Sequence, residues 1–329
     1  MFIHLEKSKA EIKSVFTEAS SILNTSSISE ARLVKSAKLG QDENVDGLIE
    51  LASIKSIPVE MNAYVKQFFH RKAVTIDLYG FDVYSGVFVS DEVVIVGGKV
   101  KESAGILKAI NITNERIVDK FSISTIVKRL TFDFESESLF VSCYGSKLYR
   151  FKFANSFLNS KVNVEVGDHY NGGIFICDGV LYVIVDKTVK KISLVNTQQS
   201  LEMCFKTNTN CTSLNGLGID SKNNRFLYTS EKQEVVCTSL DGSEIFKYKD
   251  EFMKQTSSVY VHSEGLVFVG DEKGSMHLIS EDGCRRRTVL NSCDKLKTVS
   301  DICLDKSCSR LAVFGPGYIE LYDVCTGSG

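Results

Sequence analysis

A short apolar segment recurs along the chain and constrains its fold more than any other feature. It reads VVIVG, LFVSC, LYVIV, RFLYT, LVFVG and LAVFG, with strand starts at Val93, Leu139, Leu181, Phe226, Leu266 and Leu311. The intervals between these positions are 46, 42, 45, 40 and 45 residues. Runs of β-branched and aromatic residues are typical of strands, and a long regular spacing between them indicates a repeated unit.

The most legible copy is GLGIDSKNNRFLYTSEKQEVVCTSLDG, which begins at Gly216 and has three apolar strands separated by polar turns, with a fourth in SEIFKY. Six such copies predict a mainly β fold, a six-bladed β-propeller over residues 70–329. The last copy ends after its third strand, YIELYDV. Because an open edge would leave backbone groups unpaired, we expect AVTIDL at residues 73–78 to be the closing strand of the last blade.

Residues 1–69 have a different period. Apolar residues at Ile12, Val15, Phe16 and Ala19 follow the spacing of one helical face, and SISE at residues 27–30 is a capping box for a second helix. A third helical stretch, VDGLIELASI, runs toward Pro58. These segments predict a helical, coiled-coil-like appendage. It either forms a homodimer or folds as a hairpin onto itself or the neighbouring domain.

Composition limits the location and the partners. The 39 basic and 41 acidic residues give a net charge of -2, so no global field attracts nucleic acid or an anionic membrane. The first residues are too charged for a signal peptide, and no apolar run is long enough to span a membrane. Most of the ten cysteines alternate with apolar residues, which favours buried thiols in a reducing, cytoplasmic protein over disulfides or zinc ligands.

With its strand ending in Asp, its short turn and its aromatic second strand, the copy at residues 216–242 resembles an NHL repeat. Six such blades after amphipathic helices resemble the C-terminal half of tripartite-motif (TRIM) proteins. The resemblance implies a partner-binding propeller attached to a dimerising helix. Before Cys143 the only Cys or His residues are His4 and His70, so the RING and B-box modules needed for ubiquitin-ligase activity are missing from this sequence.

Catalytic patterns are weak. The motifs G-x-S-x-G, G-x-x-x-x-G-K-[ST] and H-E-x-x-H are absent, and we expect no catalytic residue, metal ion or cofactor. A lactonase-like propeller would hold calcium through acids and amides at its axis, where this chain offers Asp133, Asn215 and Asp220. No acid repeats at one position in every copy, which counts against a calcium site at the axis. A calcium-dependent hydrolase is therefore the alternative, and a binding protein is the main hypothesis.

The main hypothesis is a non-catalytic scaffold that binds a protein or peptide partner through the loops between the second and third strands and between blades. Mixed charge with tyrosines suits a protein surface better than a polyanion. The candidate partner-binding residues are Tyr144, Asp186, Lys187, Glu231, Lys232, Asp271, Lys273 and Tyr318. An alternative is RNA binding through the basic run Arg285, Arg286 and Arg287, although no aromatic residues are interleaved with it.

Overall fold

The computed structural model describes residues 69–100, 104–154, 157–164, 166, 170–185, 187–194, 201–207, 216–230, 234–249, 253, 256–262, 265–284, 286–290 and 297–324. The predicted N-terminal helices lie outside these ranges, and so do the candidate residues Asp186, Glu231, Lys232 and Arg285. The part of the chain that is described is built from strands and turns. No helix there is long and apolar enough to cross a membrane.

Twenty-two strands follow one another in the described residues. They are β1 (Phe69–Phe88), β2 (Val93–Val100), β3 (Ala104–Asn111), β4 (Arg116–Ile123), β5 (Val127–Asp133), β6 (Ser138–Cys143), β7 (Lys147–Ala154), β8 (Phe157–Val164), β9 (Tyr170–Cys177), β10 (Val180–Val185), β11 (Thr188–Ser193), β12 (Leu201–Lys206), β13 (Leu217–Asp220), β14 (Arg225–Ser230), β15 (Glu234–Ser239), β16 (Glu244–Lys249), β17 (Thr256–Val261), β18 (Val267–Asp271), β19 (Met276–Ile279), β20 (Arg286–Leu290), β21 (Asp301–Leu304) and β22 (Arg310–Val324).

These strands form five antiparallel sheets, and this corrects the predicted six blades to five. Four sheets have four strands each, in the orders β5-β6-β7-β8, β12-β11-β10-β9, β13-β14-β15-β16 and β17-β18-β19-β20. The fifth sheet has six strands in the order β21-β22-β1-β2-β3-β4. The sequence copies at both ends of the chain share this sheet, because the long strands β1 and β22 continue from one copy into the other.

The pairing of β1 joins the end of the domain to its beginning. Its first half is antiparallel to the end of β22, with Val74 opposite Leu321 and Ile76 opposite Ile319. Its second half is antiparallel to β2, with Val87 opposite Ile95. Residues 73–78, the segment expected to close the ring, therefore lie beside the last strand of the final sequence copy.

The hydrophobic core lies between neighbouring sheets. Strands β6 and β14, each second in its sheet, are buried along their whole length. Strands covered on both faces read as continuous apolar runs rather than as alternating ones. This explains why the second strand of each copy is the most visible repeat in the sequence.

Aspartates hold the turns between the first and second strands of several sheets. Asp133 accepts hydrogen bonds from the backbone N–H of Glu135 and Ser136, both 3.3 Å long. Asp305 accepts backbone N–H groups from Ser309 and Arg310 at 2.7 and 3.1 Å. Aspartate is favoured in such turns because its carboxylate satisfies backbone donors just beyond it.

Antiparallel order divides the turns between two faces. The upper face carries the turns between second and third strands and the connections between sheets. There Tyr144 N donates to Ile126 O at 2.9 Å, and Thr207 N donates to Lys187 O at 2.7 Å. The lower face carries the remaining turns, where Arg310 Nη1 donates to Asp91 O at 3.1 Å.

The thiols follow the expectation of small buried hydrophobes only in part. Among the seven described cysteines, all of them free, Cys143, Cys237 and Cys303 are buried and Cys284 is exposed. Burial raises the pKa of Cys143 to about 12 and that of Cys237 to about 11. The buried thiols are therefore kept protonated and unreactive.

The substitution Gly86→Ala tests the seam between the two ends of the chain. A Cβ at this position in β1 would lie 2.3 Å from Cε1 of Phe314 in β22. Overpacking of this kind costs about 1–3 kcal/mol, so urea unfolding should show a clear loss of stability. Phe314→Leu in the same chain should recover part of it. Equal stability of Gly86→Ala and the wild type would contradict the close packing of this seam.

The cysteines give a second prediction. At pH 8, a maleimide pulse followed by peptide mass spectrometry should label Cys284 well before Cys143 and Cys237 in the folded protein, and all three at similar rates in denaturant. The slow labelling of the two buried thiols is expected because their pKa values in the folded protein exceed the ordinary 9.0. Burial of the protonated thiols therefore contributes its full stability below pH 9, and this contribution is lost as the pH rises toward 11–12. Early labelling of Cys143 would contradict this burial.

Candidate functional site

A charged pair lies among the first strands of the sheets, where these strands converge. Arg129 on β5 places its Nη1 atom 3.0 Å from Oδ1 of Asp301 on β21. The side chains are only 15% and 14% exposed. Together with residues of β9, β13 and β17, they line a small cavity whose other lining residues are Ile174, Phe175, Gly216, Leu217, Val259, Tyr260 and Ile302.

Arg129 and Asp301 are each held by further hydrogen bonds. Arg129 Nη1 donates to Ser300 O at 3.0 Å, and its Nη2 donates to Ser257 O on β17. The hydroxyl of Ser85 on β1 donates to Asp301 Oδ2 and accepts the backbone N–H of Leu130 at 2.9 Å. Burial raises the pKa of Asp301, while Arg129 and the Ser85 hydroxyl oppose that rise. Arg129 on β5 thereby connects its own strand to β21, through Asp301, and to β17, through Ser257 O. These strands belong to three different sheets.

The candidate calcium ligands are not gathered here. Asp133 caps a lower-face turn, and Asp220 is bound by Nε of Arg225 at 3.2 Å and by Nδ2 of Asn223 at 2.9 Å. Asn215 lies outside the described residues. Within the described ranges, no three His, Cys, Asp or Glu side chains are grouped closely enough to hold a metal ion.

The upper face brings together several predicted partner-binding residues. Tyr144, Lys187 and Lys273 lie at turns between second and third strands, and Tyr144 is 52% exposed. Tyr318 instead lies within the long strand β22, opposite Asp77 of β1. Positive φ angles at Gly145 (76°) and Lys187 (63°) mark tight turns. The backbone conformation of these turns is therefore well defined, and it fixes the Cα positions from which Tyr144 and Lys187 project.

Asp271, predicted to bind a partner, is instead a buried residue that stabilises its turn. It is fully buried, and its Oδ1 accepts the backbone N–H groups of Lys273 and Ser275, both at 2.9 Å. Its Oδ2 lies 3.3 Å from Nε2 of His277, whose Nδ1 is 3.4 Å from Thr288 Oγ1. Asp271 therefore shapes the turn that presents Lys273.

The two described arginines of the basic run lie on β20, the outer strand of its sheet. Arg286 is exposed and donates from Nη1 to the Tyr248 hydroxyl at 3.1 Å, whereas Arg287 is half-buried. Successive side chains on a strand point to opposite faces of the sheet. Adjacent arginines here do not build one continuous basic surface.

Among the turn residues that the structure describes, the two faces differ in charge. The described lower-face turns carry ten acidic residues and two lysines, and the described upper-face turns carry one acid and three lysines. The lower-face residues are Asp91, Glu92, Glu115, Glu135, Glu137, Asp178, Asp241, Glu281, Asp282, Asp305, Lys222 and Lys306. The upper-face residues are Glu272, Lys187, Lys273 and Lys297. Several lower-face acids, such as Asp305, accept backbone N–H groups in their turns. Much of the negative charge on the lower face therefore belongs to residues that stabilise the turns.

Sequence reasoning missed Arg129 and Asp301, and also an upper-face cluster of tyrosines and lysines. Lys128 Nζ lies 4.4 Å from the ring centroid of Tyr144, and Lys99 Nζ lies 5.8 Å from that of Tyr84. Neither the charged pair nor the tyrosine and lysine contacts recur at the same position in successive sequence copies. Their spacing in the sequence therefore gives no sign that they meet.

The sheets arranged around their first strands define a β-propeller. The chain has TM-score 0.54 and 12% identity to the WD40 β-propeller domain of Doa1, covering 78% of this chain and 97% of that one. It has TM-score 0.61 and 10% identity to XC5397, a gluconolactonase from Xanthomonas campestris, covering 78% and 91%. Similarity at this level of identity establishes the fold alone.

Sequence comparison adds no closer relative: neither a family model nor a curated protein matches the chain.

Removal of the charged pair gives a third prediction. Arg129→Met should destabilise the propeller by about 3–5 kcal/mol in urea unfolding, because it leaves the buried Asp301 carboxylate without its counter-ion. Adding Asp301→Asn should recover part of the loss, since the double variant no longer buries an unpaired charge.

A matched control for this prediction is Lys191→Met, which breaks an exposed pair with Glu202 at 3.3 Å. Its cost should be about 0–1 kcal/mol. Strictly additive effects of Arg129→Met and Asp301→Asn would show that the two side chains do not stabilise each other.

Proposed function

We propose that this protein is a non-catalytic interaction scaffold whose upper face binds a partner protein or peptide. The observation that carries the proposal is the way the upper-face turns are fixed. Tyr144 and Lys187 are bonded through their backbones to the connections between sheets, at 2.9 and 2.7 Å. Side chains on a rigid frame lose little conformational entropy when a partner binds.

The finer proposal concerns the kind of scaffold. The NHL-like copy at residues 216–242 supports a role like that of the partner-binding end of TRIM proteins, in which the propeller selects a protein and other modules act on it. We propose a cytoplasmic location on the same grounds. Self-association through residues 1–69 belongs to this proposal, and light scattering of the full chain against residues 67–329 tests it: equal monomeric masses would refute it.

A calcium-dependent hydrolase is the second candidate, favoured by the fold similarity to a gluconolactonase. The position of Arg129 argues against it. Its guanidinium already supplies the positive charge beside the Asp301 carboxylate, and a divalent cation there would meet electrostatic repulsion. A calcium-dependent rise in thermal stability that a chelator reverses would support the hydrolase.

RNA binding through Arg285–Arg287 stays an open alternative. It predicts binding that falls steeply with salt and weakens when these arginines are neutralised. The opposite orientation of Arg286 and Arg287 on β20 favours the protein-binding proposal over this one.

Pulldown with upper-face and lower-face variants tests the proposed scaffold. The full chain, Tyr144→Ala, Lys187→Glu/Lys273→Glu and the lower-face control Lys222→Glu/Lys306→Glu are used as baits in nuclease-treated, high-salt lysate. Quantitative mass spectrometry should find proteins bound by the wild type and the control but depleted with at least one upper-face variant. Equal melting temperatures verify folding. Identical recovery by all four baits would refute an upper-face scaffold, and loss on nuclease treatment would favour RNA binding.

A further inference from the structure

Two tyrosines and three lysines lie together on the upper face of the first two sheets. We call Tyr84, Lys99, Lys128, Tyr144 and Lys147 the tyrosine–lysine surface. Lys99 and Lys128 lie within cation–π range of Tyr84 and Tyr144, with the distances of 5.8 and 4.4 Å given above. Lys147 is exposed and follows the turn that carries Tyr144.

Lys99 connects the two tyrosines of this surface. The neighbouring Tyr84 side chain, with smaller contributions from Asp82 and Tyr144, raises the pKa of Lys99. Lys99 therefore lies within electrostatic range of both tyrosines. Asp82 Oδ2 is 3.8 Å from Lys99 Nζ, and both side chains are partly exposed, so this pair is weak. Among the described residues, three lysines and this one acid give the surface an excess of positive charge.

The surface is rigid because its backbone is wedged between two sheets. A Cβ on Gly105 would lie 2.1 Å from Thr125 O, and one on Gly97 would lie 2.5 Å from Cγ1 of Val127. Only glycine permits the connection between the two sheets to pack so closely. That connection holds Tyr144 by two hydrogen bonds, since Thr125 Oγ1 donates to Tyr144 O at 2.9 Å and Tyr144 N donates to Ile126 O.

Tyrosine is one of the side chains on which binding energy concentrates at protein interfaces. We propose that the tyrosine–lysine surface binds an acidic peptide segment, with its carboxylates on the lysines and a large apolar side chain against the tyrosine rings. This inference rests on the proposed scaffold function and names the chemistry of its partner. Charge complementarity selects the upper face, because the acidic lower-face turns repel such a segment.

Peptide selection tests the inference. A phage library of random twelve-residue peptides is selected on the full chain, and recovered peptides are synthesised for fluorescence anisotropy. We expect enrichment of Asp and Glu beside a large apolar residue. Affinity should fall by at least about tenfold with Tyr144→Ala and with Lys99→Glu/Lys147→Glu, whose melting temperatures are measured first. The charge-reversed variant should prefer the same peptide with its acids replaced by lysine.

The lower face supplies a matched control, since Lys306 Nζ lies 5.4 Å from the ring centroid of Phe134. Phe134→Ala and Lys306→Glu should leave peptide affinity unchanged. Peptides without acidic residues, recovery of no peptide, equal binding by Tyr144→Ala, or tighter binding of a twelve-nucleotide oligouridine would overturn the inference. Partners lost in the pulldown only with Lys187→Glu/Lys273→Glu would overturn it too, and would leave the scaffold function standing.

Discussion

The double pairing of β1 is the constraint on which the rest of the structure depends. One half of this strand pairs with the end of β22, and the other half pairs with β2 in the same six-stranded sheet. A ring of sheets without this joint would leave two apolar faces and two rows of backbone donors and acceptors exposed. The close contact between Gly86 and Phe314 belongs to this joint, so small changes there affect the whole ring.

The second constraint is electrostatic. Arg129 and Asp301 meet where the first strands converge, and Ser85 and Ser257 complete their hydrogen bonds. Buried charges are tolerated only when paired and hydrogen-bonded, and this pair satisfies both conditions. The arrangement links strands from three sheets and therefore stabilises the ring.

The proposed scaffold function rests on the turns, which differ between the two faces. Lower-face aspartates satisfy backbone donors and leave that face acidic. On the upper face, backbone bonds between turns and connections fix the positions of tyrosines and lysines. Asp271 shows how sequence reasoning about turns goes astray: it lies in a predicted binding turn, yet its carboxylate is consumed by the backbone N–H groups and by His277.

The β-propeller class could be predicted from the amino-acid sequence, because strands buried on both faces produce apolar runs that repeat visibly. The sequence also determined which turns carry Tyr144, Lys187 and Lys273. Tertiary structure set the number of separate sheets, since the continuity of β1 and β22 depends on how the first and last described strands meet. It alone assembled Arg129 with Asp301 and Tyr84 with Lys99 and Tyr144. These contacts join residues far apart in the chain, and no local spacing encodes them.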